Sequence, residues 1–179
     1  MVLLFIVTMS GASVWFWFAP VGIHNYVNKI SLELVIDSPE LLTHLGVIDN
    51  TLLDFHSGKL SDFTKEEEER KINRLRVARI GLDEYGPEGL EGQNLLTWKI
   101  TAWFLDDLLR QAELRYSSYR VNQISGVTVN MPQFLTDTHV IKNKKSAERY
   151  LLRLQEFGRV LRETLERLED DRANGLIPP

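Results

Sequence analysis

The chain has 179 residues, 44% hydrophobic and 26% charged, with a net charge of −4; this is the balance of a folded domain with an appendage, not of a disordered chain. Its densest basic cluster is only Lys142, Lys144 and Lys145, which excludes the concentrated basic face that nucleic-acid binding needs. Cysteine is absent, so a thiol nucleophile, a disulfide framework and a thiolate-ligated zinc site are excluded as well.

Met1 to Ala19 carries no ionisable side chain, and the first formal charge is Lys29. As a helix, residues 2–19 would span about 27 Å, close to the hydrocarbon thickness of a bilayer. Trp15 and Trp17 crowd one end as interfacial aromatics do, and Pro20 with Gly22 punctuates the exit. A cleaved signal peptide fits poorly, because a basic leader region is missing and bulky residues stand where a small-residue cleavage site would. The expectation is therefore a single transmembrane signal anchor over residues 1–20, with a helical domain over 21–179. The missing basic flank also points to a true start upstream of Met1.

From Val21 to Asp37, Ile23, Tyr26, Val27, Ile30 and Leu34 recur at three and four, predicting a juxtamembrane amphipathic helix. Ser38-Pro39-Glu40 opens a short helix that ends at Gly46. Residues 47–63 read as loop, with turn signals at Asp49-Asn50 and Ser57-Gly58. Thr64 to Glu67 forms a capping box before a helix to about Tyr85, whose buried face is Ile72, Leu75, Ala78 and Leu82. Glu66 to Glu69 are then first-turn acids meeting the helix dipole.

Gln93 to Arg115 is apolar nearly all round, which predicts a helix in the middle of the core. Its narrow polar stripe holds Asp106 and Arg110 at the i,i+4 spacing of a favourable pair. Tyr119 to Leu135 changes character, and its β-branched residues suggest a short extended piece at Val127–Val129 followed by a turn or short helix near Pro132–Leu135. Ser146 then caps a long helix to about Asn174. Ala147, Leu151, Leu154, Gly158, Leu161, Leu165 and Leu168 follow a four-three spacing, predicting a buried a/d seam. On that reading Leu161→Asp costs about 3 kcal/mol or more, and Glu163→Ala on the charged face less than about 0.5 kcal/mol. The abrupt Pro178-Pro179 finish suggests a fragment of a longer protein.

Candidate chemistry is sparse. His24, His44, His56 and His139 show no HExxH spacing and no paired placement on one helix turn. Each is expected to be a polar surface or capping residue, with His139 the least ordinary. Asp106 and Asp107 point about 100° apart on a helix and cannot act on one atom together. Asp107, on the Ile100 side, calls for a partner, most simply a salt bridge with a neighbouring helix. Ser125-Gly126 lacks a nucleophile-elbow pattern, and no glycine-rich phosphate loop occurs. No catalytic, cofactor-binding or metal-ligating residue is assigned.

Several stretches nevertheless form a familiar pattern. They are Val121-Asn-Gln through Gly126, Met131-Pro-Gln-Phe-Leu135 with His139, Ala147 to Leu154, and the closing Gly175 to Pro179. Ser38 to Thr43 and Gly92 to Leu105 belong with them. Together they resemble the N-terminal part of a large bacterial family known as domain of unknown function 885, over roughly residues 30–179. The resemblance implies a mostly helical zinc peptidase of the HExxH type, exported or membrane-attached, whose zinc motif lies far C-terminal to the matched region. This chain has no His-Glu pair, so no family catalytic residue carries over and zinc is implied only for a longer protein.

Two functional classes stay open. The first is the front portion of an anchored, exported zinc peptidase, inactive alone, with the C-terminal portion of the same protein and a peptide substrate as partners. The second is a non-catalytic, membrane-anchored helical interaction module. Either would sit in the bacterial inner membrane by one span, with the main domain periplasmic or extracellular.

Overall fold

A computed structural model describes residues 22–177 except 50, 118 and 123. Among the described residues there are six helices and no strand: α1 (Ile23–Ile36), α2 (Pro39–Leu45), α3 (Lys65–Asp83), α4 (Gly92–Glu113), α5 (Val127–Asp137) and α6 (Lys144–Ala173). The expected anchor over residues 2–19 lies outside the described residues. Among those described, no helix is long and apolar enough to cross a membrane. The chain divides into two compact units. One is built from the described residues up to Glu33 and Asn73–Arg110, the other from Leu34–Ile72 and the described residues from Gln111 onward.

In the first unit, α1 buries Ile23, Tyr26 and Ile30, the three-and-four row read from the sequence. Ala78 and Leu82 of α3 and Ala102 and Leu105 of α4 are the other buried apolar residues. Tyr26 crosses the interior and its hydroxyl donates to the Ala78 carbonyl at 2.9 Å. A Cβ on Gly81 would clash with the Tyr26 hydroxyl, so the phenol's seat depends on glycine there. The Trp98 indole N–H donates to the Leu82 carbonyl at 3.1 Å.

The surroundings of α4 correct two expectations. Asp106 pairs with Arg79 at 2.7 Å instead of with Arg110, which lies 3.4 Å from Asp107. Asp107 thus has an ion-pair partner one turn along its own helix. The helix is also not central to a core: Trp103 is 65% exposed, and Leu96, Ile100 and Phe104 are exposed too. A unit this small covers one narrow face of a helix, and the apolar residues on the other faces are left on the surface.

Tyr26 makes this unit sensitive to alkali. Burial pushes its phenol up to about 12, with Tyr85, Glu84 and Glu33 adding in the same direction. A raised folded value favours the protonated form, so this contribution is intact below the ordinary phenol value near 10 and is lost as pH climbs toward 12. Denaturant titrations from pH 8 to 11.5 should show Tyr26→Phe losing on the order of 2 kcal/mol less than the parent over that range. Parallel losses in the two proteins would mean that Tyr26 is not the group responsible.

In the second unit, α2 is bounded as its sequence dictates. The Ser38 hydroxyl accepts from the Leu41 N–H at 3.2 Å, and Gly46 adopts a left-handed φ of 64° while its N–H returns to Leu42 and Thr43. At the start of α3 only half the capping box forms. Thr64 accepts the Glu67 N–H at 3.3 Å, but Glu67's carboxylate binds Arg70, and Asp62 takes the Thr64 N–H at 3.0 Å. For α6 the cap is Asn143, with Ser146 as its reciprocal partner three residues into the helix.

Residues 127–129 are helical, not extended. Val127, Met131 and Leu135 stand four apart on one face of α5 and pack inward, and that packing overrides the β-preference of Val127 and Val129. The small core joins Leu60, Val127 and Val160, with Phe63, Val121, Met131, Phe134 and Phe157 around it.

The largest departure concerns α6. Its buried residues are Ser146, Arg153, Val160, Thr164, Arg167 and Asp171, whereas Leu151, Leu154, Leu161 and Leu165 of the expected seam are exposed. The row facing inward is mostly polar because it meets a loop and other polar segments that need hydrogen-bond partners, not another apolar helix.

Candidate functional site

The loop between α2 and α3 has no ladder to absorb its backbone carbonyls, so side chains must do so. Three arginines of α6 supply the donors. Arg149 donates to the Asp54 carbonyl at 2.7 Å, Arg153 to that of Lys59 at 2.9 Å, and Arg159 to those of Leu60 and Ser61 at 3.2 and 3.4 Å. From α2, the Glu40 carboxylate accepts the Ser61 N–H and hydroxyl at 2.7 and 2.5 Å. Glu163 of α6 accepts the Phe63 N–H at 3.0 Å while holding Arg159 at 2.8 Å. Glu163 is therefore a tether between segments, not the idle surface charge that its sequence position suggests.

Arg153 is the centre of this arrangement, and its side chain is 0% exposed. Its Nη1 donates to Nδ1 of His139 at 2.8 Å, and its Nη2 to the Thr43 hydroxyl at 2.7 Å, with the Pro39 and His56 carbonyls at 3.3 and 3.4 Å. The Phe134 ring lies 4.8 Å from the guanidinium carbon, a cation–π contact. One side chain thereby gathers α2, the loop, the end of α5 and α6. Every one of these partners is neutral. Burial pushes the guanidinium down to about 10, still far enough above neutrality to keep it charged.

His139 is buried, and its partners fix its state. Nδ1 accepts from Arg153, so the proton sits on Nε2 and is given to the Ser146 carbonyl at 3.0 Å. Burial, then the Arg153 charge, holds this imidazole below its ordinary value and keeps it neutral. His56 is fully buried too, with Nε2 2.7 Å from Asp49 and Nδ1 3.5 Å from Asp54. Asp54 is itself engaged by Arg149 and by the N–H and hydroxyl of Ser57. These two histidines correct the expectation of surface or capping roles, which His24 and His44, exposed on α1 and α2, do fit.

A second polar cluster lies along the C-terminal half of α6. Glu68 binds both Arg120, at 3.1 Å, and Arg167. Arg120 also reaches Asp171 at 2.8 Å, and Asp170 accepts from Lys65 and the Tyr116 hydroxyl, each at 2.9 Å. Sequence reasoning missed this cluster and Arg153 alike. The signal was the row Ser146, Arg153, Val160, Arg167 at sevenfold spacing on one helix face, obscured by a leucine row that looked more apolar.

The described residues do not form a zinc centre. Among the described residues no group of three His, Asp or Glu side chains could hold a metal ion. His139 offers its lone pair to a guanidinium, and His56 is committed to Asp49. Ser125 sits in a turn in which the Asn122 side chain accepts the Ile124 and Ser125 N–H groups at 2.8 Å, with no histidine in its contacts. Both clusters cross-link segments of the second unit.

No curated protein and no solved structure matches the chain. The family model described as "Bacterial protein of unknown function (DUF885)" matches residues 39–179, most of the chain and nearly all of the second unit, and the chain belongs to that family.

Proposed function

We propose that this chain is the non-catalytic N-terminal helical portion of a membrane-anchored, exported protein of the zinc-peptidase type. Residues 2–19 would be the single inner-membrane span, and the helical domain would stand on the outer side. It would form part of the wall of a peptide-binding groove completed by the C-terminal portion of the same protein beyond Pro179. The observation that carries this reading is the commitment of the buried histidines. His139 spends both ring nitrogens on Arg153 and the Ser146 carbonyl, and His56 spends Nε2 on Asp49, as expected of a supporting framework and not of a reaction centre.

Metal analysis and peptidase assays test it. The purified 179-residue chain should hold no stoichiometric zinc and cleave no peptide, while a gene extended past Pro179 through an HExxH helix should do both. One equivalent of tightly held zinc in the 179-residue chain, with chelator-sensitive cleavage, would overturn the reading. The exposed leucine row of α6 favours the second reading, a membrane-anchored interaction module. An extended gene without any HExxH helix would decide for it.

A further inference from the structure

A cavity of about 410 Å³ opens in the second unit beside the first turn of α5, with Phe63, Val127 and Met131 on its apolar side and Arg120 and Arg167 on its polar side. A smaller apolar cavity of about 150 Å³ shares Val127 and Met131 with it and runs toward Phe157 and Val160. We propose that the two together bind a small amphiphilic monocarboxylate, its carboxylate at the arginines and the α5 N-terminus and its apolar body between Met131 and Phe157.

Three observations carry this assignment. First, Arg167 is 4% exposed, and neither its Nε nor Nη2 of Arg120 has a hydrogen-bond partner among the described residues. Unpaired buried guanidinium donors are costly, and a carboxylate is their best acceptor. Second, no side chain caps α5. Its N-cap residue is Gly126 at φ 114°, where a Cβ would stand 2.8 Å from the Arg120 carbonyl and the Val121 Cα. Close backbone approach thus excludes the side chain that would have supplied a cap, and the helix begins uncapped at Gly126 and Val127, which line the cavity.

Third, the local charges limit the ligand's own. Arg120, Arg167 and Lys65 are matched by Glu68, Asp170 and Asp171. One added negative charge at the helix terminus can be accommodated, whereas a dianion would be repelled by the three carboxylates. Such a carboxylate could come from the end of a short peptide with an apolar last residue or from a free short-chain acid. This proposal does not depend on the peptidase reading.

The chain's three methionines make the test direct. In the full chain labelled at methionine methyls, Met131 reports on the cavities, with Met1 and Met9 as internal references. N-acetyl-leucine stands for a peptide end, hexanoate for a free acid, N-acetyl-leucine amide for the uncharged control and inorganic phosphate for a compact anion. The expected result is a saturable shift at Met131 with at least one carboxylate, about tenfold or more tighter than with the amide; the tighter of the two carboxylates names the source. Asn130 is exposed at the cavity mouth, so Asn130→Asp should leave the fold intact and weaken the carboxylate about tenfold. No Met131 shift, equal binding of the amide, tighter binding of phosphate, or indifference to Asn130→Asp would each overturn the assignment.

Discussion

Arg153→Leu should destabilise the second unit by roughly 3–5 kcal/mol, the cost of leaving buried polar groups without their central donor. The Lys59 carbonyl, the Thr43 hydroxyl and Nδ1 of His139 lose their guanidinium partner at once. Leucine fills only part of the volume and satisfies none of them. Lysine is no remedy, because one ammonium cannot present the three-sided fork that reaches three segments. Arg162 lies exposed on the same helix, and Arg162→Gln should stay within about 0.5 kcal/mol of the parent. Chemical denaturation of the three proteins is the measurement. An Arg153→Leu protein within about 1 kcal/mol of the parent would show that the buried guanidinium does not organise this unit.

The sequence made most helix boundaries legible because they depend on local chemistry. Ser38 with Pro39 and Gly46 bound α2 by capping and a left-handed turn, and Thr64 marks the start of α3. The row Ile23, Tyr26, Ile30 is buried as its spacing says. What stayed illegible was what each helix face meets. The leucines of α6 follow a cleaner heptad than its arginines, yet Arg153 and Arg167 are inside because polar segments need donors more than a leucine row needs cover. That demand is visible only once residues 54–61 lie against α6, about a hundred residues away in the chain. Val127 and Val129 misled for a related reason. Their β-preference is weak beside the packing of Val127, Met131 and Leu135, four-spaced on one helical face. The clusters around Arg153 and Glu68 draw single residues from three or four segments, so no local motif announces them.

The inversion of α6 gives the sharpest test of the fold, because neighbouring residues should respond oppositely to one substitution. Val160 is 1% exposed among Leu60, Val127 and the aromatic residues around them. Val160→Asp places a carboxylate with no partner in that core and should cost about 3 kcal/mol or more. Leu161 is 47% exposed, and its aspartate can turn to water, so Leu161→Asp should cost less than about 1 kcal/mol. If the leucine row were the buried seam that its spacing suggests, the order would reverse. Glu163→Ala separates the two arrangements a second time. As a solvated surface charge its loss would be within about 0.5 kcal/mol, but as the acceptor of the Phe63 N–H and the holder of Arg159 it should cost about 1–2 kcal/mol. Urea midpoints for Val160→Asp, Leu161→Asp and Glu163→Ala suffice to decide. A larger shift for Leu161→Asp than for Val160→Asp would mean that the polar row does not face inward and that the arginine tethers to the loop are not the contacts holding α6.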